Sequence, residues 1–82
     1  MNKTSIVILS YNTYNLTKSC IESIRKFTSA GSYEIIVIDN ASQDASVAWL
    51  KRQKDIKLVC NKENKGFPGG CNQGMELAEE GN

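Results

Sequence analysis

Three short polar segments of this chain carry side chains whose chemistry suits a nucleotide ligand. The first is Ser10-Tyr11-Asn12, the second is Asp39-Asn40, and the third runs from residue 61 to residue 74 and includes Lys65 and Gly66. A tyrosine ring can stack on a planar base. A carboxylate can accept hydrogen bonds from a ribose or base, and a lysine can pair with a phosphate. These groups would bind a nucleotide if the fold brought them to one place.

Each of these residues also has an ordinary structural explanation. Asp39 can cap the turn that follows it, and Tyr11 can pack against the next helix. Ser10 and Asn12 are common turn residues, and the glycine-rich segment around Gly66 can simply turn the chain. Position alone leaves both interpretations open, with a phosphate contact favoured for the glycine-rich segment because glycine lets backbone N–H groups approach an anion.

Composition excludes several other kinds of chemistry. The chain has no histidine, which removes Ser-His and Cys-His nucleophilic catalysis and argues against a catalytic zinc site. Cys20, Cys60 and Cys71 lack paired CxxC spacing, and we expect each to be a buried, reduced thiol. Neither GxxxxGK[ST] nor GxGxxG is present, so both familiar phosphate-binding loops are missing. A net charge of +1 gives no reason to expect a nucleic-acid partner.

The order of the predicted elements brings the three polar segments to one edge of a sheet. Apolar runs rich in β-branched residues predict strands at Ser5–Ser10, Glu34–Asp39 and Ile56–Cys60. Each is followed by a helical pattern, and the βαβαβα order predicts an α/β fold: a three-layer α/β/α Rossmann-like half with a parallel sheet of order 3-2-1. The carboxyl ends of parallel strands share one edge, where all three polar segments should meet.

The predicted helices have apolar stripes at helical spacing. The stripe of the first helix consists of Leu16, Cys20, Ile24 and Phe27. Ser42 or Asp44 is the predicted cap of the second helix. The third helix is predicted to follow Gly70, with an apolar side formed by Cys71, Met75 and Ala78.

Taken together, these segments resemble the family 2 glycosyltransferases of the GT-A fold. Residues 8–12 resemble the opening strand and turn of that family, and residues 37–44 resemble its second-strand motif. Residues 61–74 resemble the Asn-x-Gly-Phe…Asn-x-Gly segment of the rhamnosyltransferase-like branch. The likeness covers nearly the whole chain in order and spacing. It implies that residues 1–82 are the amino-terminal, nucleotide-sugar-binding part of a GT-A domain, truncated before the domain is complete.

The resemblance implies an activity and a site. The whole enzyme would transfer a sugar from a UDP- or dTDP-sugar to the hydroxyl of a glycan or lipid-linked acceptor, in polysaccharide or cell-surface glycan synthesis. Tyr11 would flank the uracil or thymine, and Asp39 would hydrogen-bond the base. The rest of the implied nucleotide site consists of Ser10, Asn12, Asn40, Lys65 and Gly66.

The resemblance also implies what this chain lacks. The Asp-x-Asp-like motif that holds Mg²⁺ or Mn²⁺ against the diphosphate is expected beyond Asn82, together with the acceptor-binding half. We therefore expect no catalytic residue and no metal ligand within the chain, and no measurable transfer by its 82 residues alone. The first strand would keep an uncovered apolar edge, which predicts low stability or self-association.

The sequence also leaves two alternative functions open and predicts a cellular location. A non-catalytic nucleotide-binding or interaction module is the main alternative, and the turn at residues 10–12 argues against a dinucleotide-binding domain. The longest apolar run, Ile6–Leu9, is far too short to cross a bilayer. We expect a cytoplasmic protein, including the inner face of the membrane as a peripheral location.

Overall fold

The computed structural model of the protein describes residues 4–29 and 31–80, so the ends of the expected domain at residues 1–3 and 81–82 lie outside it. Strands and helices alternate along the described chain: β1 (Thr4–Ser10), α1 (Tyr14–Phe27), β2 (Tyr33–Asp39), α2 (Ser46–Lys51), β3 (Ile56–Cys60) and α3 (Gly66–Glu80). The strands are parallel and lie in the order β1-β2-β3. The predicted α/β fold and strand order are therefore confirmed.

The sheet is covered on both faces, which makes β2 the most buried element of the described chain. Every residue from Ile35 to Asp39 is fully inaccessible. On one face, Ile35 and Val37 pack with Ile21 of α1 and Leu50 of α2. On the other face, α3 packs against β1 and β2. A strand covered in this way must be apolar along its whole length, which explains the continuous run of β-branched residues in its sequence.

The buried side of α1 differs from the predicted stripe. Leu16 and Phe27 are 71% and 78% exposed, and Cys20 is also exposed, whereas Thr17 and Ile21 are buried. The hydroxyl of Thr17 donates a hydrogen bond to Ser10 Oγ at 3.2 Å. A polar residue outside the predicted apolar stripe therefore lies on the buried side of the helix. The prediction was wrong because it ranked the helix faces by hydrophobicity alone and did not foresee this contact with the end of β1.

Helix α3 begins earlier than predicted and packs through glycine. It starts at Gly66, so Gly69 and Gly70 lie inside the helix and not in the loop before it. Gly70 and Gly74 are buried against β1: a Cβ at Gly70 would come within 2.6 Å of Leu9 Cδ2, and one at Gly74 would overlap the side chain of Val7. The predicted apolar side was also wrong at Met75, which is 59% exposed. Glycines at a helical spacing of four allow the helix axis to approach the strand closely.

Replacing Gly74 with alanine should destabilise the fold, because the added methyl group overlaps the side chain of Val7. Overpacking of this kind costs about 1–3 kcal/mol of unfolding free energy, measurable by urea titration. The double variant Gly74→Ala/Val7→Ala should lose less than the sum of the single variants, because the shortened strand residue makes room for the new methyl group. Asn72→Ala on the exposed side of the same helix is the control, and an equal loss there would contradict the close-approach explanation.

Candidate functional site

The carboxyl ends of the three strands meet at one edge of the sheet. Ser10 pairs with Asp39, and Asp39 pairs with Cys60. The alignment continues one residue further, because the N–H of Asn40 donates to the carbonyl of Ser10 at 2.8 Å and the N–H of Asn61 donates to that of Asp39 at 2.9 Å. The convergence of the three polar segments is therefore confirmed, with Tyr11, Asn40 and Asn61 leaving the sheet side by side.

The side chain of Asp39 caps the turn that follows β2, as one of the two predicted roles for this residue required. Its carboxylate is fully inaccessible and accepts hydrogen bonds from the backbone N–H of Ser42 at 2.9 Å and from the Ser42 hydroxyl at 2.7 Å. Between them, Ala41 has a φ of 65°, a left-handed conformation that costs a residue with a Cβ roughly 1 kcal/mol or more. The two hydrogen bonds to Asp39 hold this turn closed. A contact between Asp39 and a base remains a prediction.

The turn after β1 is tied to the turn after β2. Asn12, at a φ of 53°, donates its N–H to Ser42 Oγ at 2.9 Å and accepts a hydrogen bond from the N–H of Gln43 at 2.7 Å. Both polar ends of this link are satisfied within the protein. Asn12 thus joins the two loops. A contact between Asn12 and a nucleotide remains a prediction.

Asp44 joins the starts of two helices. Its carboxylate accepts hydrogen bonds from the backbone N–H of Ser46 at 2.9 Å and from that of Tyr14 at 3.1 Å. The N-cap residue of α2 is Ala45, not the predicted Ser42 or Asp44, but Asp44 bonds the first backbone N–H of α2 from one position earlier. It does the same for the first N–H of α1, whose own N-cap residue Thr13 makes no side-chain cap. The hydrogen bonds from Ser46, followed by that from Tyr14, lower the pKa of Asp44 below its ordinary value of 3.8, since they favour the charged form.

The lowered pKa of Asp44 predicts a pH-dependent effect of Asp44→Asn. A carboxylate with a depressed folded-state pKa contributes stability above its ordinary value of 3.8, and this contribution is lost as the pH falls through the lower, folded-state value. The variant should therefore be less stable than the parent at neutral pH, with a difference that shrinks in acid. Urea midpoints measured from about pH 7 to about pH 3 test this, and a constant difference over that range would contradict it.

Asn40 is the centre of a network of side-chain amides beneath the third loop. It is 5% exposed, and its Oδ1 accepts a hydrogen bond from Asn61 Nδ2 at 2.8 Å. Asn61 and Gln73 exchange two hydrogen bonds, both at 2.9 Å, which link the end of β3 to α3. Longer contacts of 3.4 Å join Asn40 to the N–H of Lys65 and to the carbonyl of Gly66. The network therefore sets where the start of α3 lies relative to β2.

A cavity of about 200 Å³ opens at this edge. It brings together four of the predicted site residues, and its lining consists of Leu9, Ser10, Tyr11, Asn40, Asn64 and Gly66. The Tyr11 side chain is half exposed, while Ser10 is buried with its hydroxyl bonded to Thr17. Gly66 has a φ of 75°, a conformation that favours glycine, and its N–H donates to Asn64 Oδ1 at 2.7 Å. An exposed ring therefore stands across the cavity from the backbone at the start of α3.

The remaining predicted residues lie around this cavity without lining it. Asp39 is buried in its own turn, Asn12 is engaged with the neighbouring loop, and Lys65 is exposed next to Gly66. Sequence reasoning missed the structural roles of Asn61 and Gln73, which support the wall through Asn40. Their only signal was the high amide content of residues 61–74, which does not reveal which side chains pair across the fold.

Breaking the amide pair should loosen this wall. In Gln73→Leu, Asn61 loses both hydrogen bonds to residue 73, and an unsatisfied, half-buried amide costs about 1–3 kcal/mol. We expect lower stability in urea and altered amide resonances of Lys65 and Gly66. Asn72→Leu places the same side chain on the exposed side of the helix and should change neither. Unshifted resonances in Gln73→Leu would show that the network does not position the loop.

Neither a metal-binding cluster nor a disulfide is present in the described part of the chain. No three His, Cys, Asp or Glu side chains within it come close enough together to hold a metal ion. These residues therefore do not form a site for the Mg²⁺ or Mn²⁺ that the family resemblance implies. Cys20, Cys60 and Cys71 are free thiols, but the first two are exposed, which corrects the expectation that each is buried. In residues 4–29 and 31–80, the helices are too short or too polar to cross a membrane.

The fold is an open α/β sheet of the kind in which ligands bind outside the carboxyl ends of parallel strands. Comparison with known proteins then makes the assignment specific. The glycosyl transferase family 2 profile matches residues 5–80, nearly the entire chain. The chain belongs to glycosyl transferase family 2, and its fold is the corresponding part of a GT-A, Rossmann-like domain.

Several bacterial relatives are similar over most of this chain. It is 32% identical over 79 residues to the uncharacterized glycosyltransferase YfnE of Bacillus subtilis, covering 93% of this chain and 20% of that protein. It is 31% identical over 81 residues to the UDP-Glc:alpha-D-GlcNAc-diphosphoundecaprenol beta-1,3-glucosyltransferase WfaP of Escherichia coli, and the match covers 96% of this chain and 32% of that protein. It is 32% identical over 83 residues to a poly(ribitol-phosphate) beta-glucosyltransferase of Bacillus spizizenii, and the match covers 94% of this chain and 13% of that protein. The chain thus spans a third or less of the length of these relatives.

Proposed function

We propose that residues 1–82 form the donor-nucleotide part of an inverting glycosyltransferase that uses a UDP- or dTDP-sugar. The observation that carries the proposal is the cavity at the carboxyl edge of the sheet, where Ser10, Tyr11, Asn40 and Gly66 lie together in a family 2 chain. The donor named for WfaP, UDP-Glc, supports a uridine nucleotide. The likeness of residues 61–74 to the rhamnosyltransferase-like branch is the reason for keeping dTDP-sugars in the proposal.

The two walls of the cavity suit the two ends of a nucleoside diphosphate. The half-exposed ring of Tyr11 offers a flat surface for the base, and Asn40 offers an amide beside it. Lys65, exposed beside the start of α3, offers a positive charge for the diphosphate. Asp39 would hydrogen-bond the base, which requires its turn with Ser42 to open, because the carboxylate is fully inaccessible.

The chemistry of transfer needs groups beyond this site. An acceptor hydroxyl attacks the anomeric carbon while a general base of the full enzyme takes the hydroxyl proton. The bond between that carbon and the nucleoside diphosphate breaks, and negative charge develops on the leaving phosphate. That charge must be neutralised, and in the proposed full enzyme Mg²⁺ or Mn²⁺ would do so. The described residues include no cluster that could hold such a metal ion. We therefore propose that this chain binds donor without transferring sugar and that the whole enzyme acts in polysaccharide or cell-surface glycan synthesis, at the cytoplasmic side of the membrane.

Nucleotide binding tests the proposal directly. Titration of the labelled chain with UDP, dTDP, ATP and NAD should give weak binding of UDP or dTDP, with shifts of the Tyr11, Asn40 and Gly66 amides. Tyr33, at the opposite end of the sheet, serves as an internal reference that should not move. Tyr11→Phe should preserve binding, while Tyr11→Leu should weaken it about three- to tenfold through the loss of aromatic stacking.

The same titration distinguishes the alternatives. A preference for NAD over UDP and dTDP would contradict the family 2 donor site in this chain. Equal binding by the Tyr11→Phe and Tyr11→Leu variants would show that the ring does not contact the base. Binding of no nucleotide at all would favour the alternative of an interaction module, and it would leave the fold and the family membership unchanged.

A further inference from the structure

A chain of three hydroxyl groups lies beneath the turn that carries Tyr11. Thr17 Oγ1 donates a hydrogen bond to Ser10 Oγ at 3.2 Å, and the Oγ1 atoms of Thr13 and Thr17 lie 3.0 Å apart. A hydroxyl group has a single hydrogen to donate. Since Thr17 gives its hydrogen to Ser10, the second bond runs from Thr13 to Thr17. The chain therefore has one direction, from the start of α1 to the end of β1.

Thr17 is a polar exception on the buried side of α1. The helix buries Thr17 and Ile21, and Ile21 belongs to the apolar core. Thr17 is 4% exposed and its acceptor, Ser10, is 1% exposed, so water has little access to the bond between them. Burying a hydroxyl is costly unless it is hydrogen-bonded, and a fully bonded buried network fixes one arrangement of the groups around it. Because Thr17 lies directly beneath the turn, the turn is what this network fixes.

Thr13 gives up an ordinary role to join this chain of hydroxyls. It is the N-cap residue of α1, where a threonine side chain commonly accepts a hydrogen bond from a backbone N–H of the first turn. Its side chain makes no such bond, and Asp44 bonds the N–H of Tyr14 instead. The Thr13 hydroxyl is directed to Thr17, one helical turn further on. Both ends of the turn, Ser10 and Thr13, are therefore held by the same buried side chain.

The position of the Tyr11 ring depends on how this turn is held. Tyr11 is 49% exposed and lines the cavity at the carboxyl edge, and among the described residues none makes a hydrogen bond to its side chain. The backbone of residues 10–13 therefore sets where the ring lies. On the outer side an exposed bond between Asn12 and Ser42 holds this backbone, and water competes for that bond. On the inner side Thr17 holds it from a buried position.

We propose that Thr17 is a positioning residue for the donor-nucleotide site: by bonding both ends of the turn, its hydroxyl holds the Tyr11 ring where a base stacks on it. This inference rests on the proposed function, because the base is the ligand that gives the ring its role. Thr17 is buried beneath the turn and does not line the cavity, so it touches no ligand itself. Its effect on binding is transmitted through Tyr11, which separates it from a residue that merely stabilises the fold.

Nucleotide titration of Thr17 variants tests this role. Thr17→Val keeps the size of the side chain but removes both hydrogen bonds, and it should weaken binding of UDP or dTDP by up to the about three- to tenfold loss expected for Tyr11→Leu. Thr17→Ser keeps the hydroxyl and should bind as the parent does. Ile21→Val, buried one turn further along the same side of α1, is the matched control in the core and should also bind as the parent does.

A double-variant cycle shows whether Thr17 acts through the ring. In the Tyr11→Leu background, Thr17→Val should cause no further loss of binding, because no ring is left to position. A further loss of the same size would overturn the proposal. Unchanged binding by Thr17→Val in the parent background would do the same, as would an equal loss in Ile21→Val.

Resonances of the nucleotide-free chain give a second measurement. The amide and ring signals of Tyr11 should shift in Thr17→Val but not in Ile21→Val. Thr13→Ala breaks the same chain of hydroxyls at a half-buried position, with little risk to the fold, and should also shift them. Unshifted Tyr11 signals in both hydroxyl variants would overturn the proposal. A parent chain that binds no nucleotide would instead contradict the proposed function, and these signals would still decide whether Thr17 holds the turn.

Discussion

In-register parallel pairing of β1, β2 and β3 is the constraint on which the rest of the structure depends. It aligns Ser10, Asp39 and Cys60 in one row, so the next residue of each strand must enter a loop at the same edge. Burial of β2 on both faces explains its continuous apolar run, because the strand has no polar side to expose. Strand pairing thus determines which side chains lie together at this edge.

At that edge, the polar side chains form most of their hydrogen bonds with other groups of the protein. Asp39 closes its own turn, Asn12 and Asp44 join neighbouring loops, and the Asn40–Asn61–Gln73 amides hold the start of α3. Each of these groups would be costly to bury without a partner. With these groups satisfied inside the protein, the half-exposed Tyr11 ring is open to a ligand. This division explains how a site rich in amides can still have a defined shape.

Helix α3 packs closely on β1 through two glycines. Gly70 and Gly74 bring the helix down onto Leu9 and Val7, and the groove beside Met75 remains at the edge of that contact. Leu9 therefore contributes both to the cavity at the carboxyl end of β1 and to the groove beside its middle.

The sequence by itself determined the element order, the parallel sheet and the meeting of the three polar segments, since each follows from buried β-branched runs and right-handed crossovers. It also predicted that Ser10, Tyr11 and Asn40 meet at this edge, because they stand at the ends of neighbouring parallel strands. Only the tertiary structure decided that Thr17 and Ile21 form the buried side of α1, that α3 begins at Gly66, and that Asn61 pairs with Gln73. These features depend on contacts between residues far apart in the chain, where hydrogen bonding and close approach outweigh the local hydrophobic pattern.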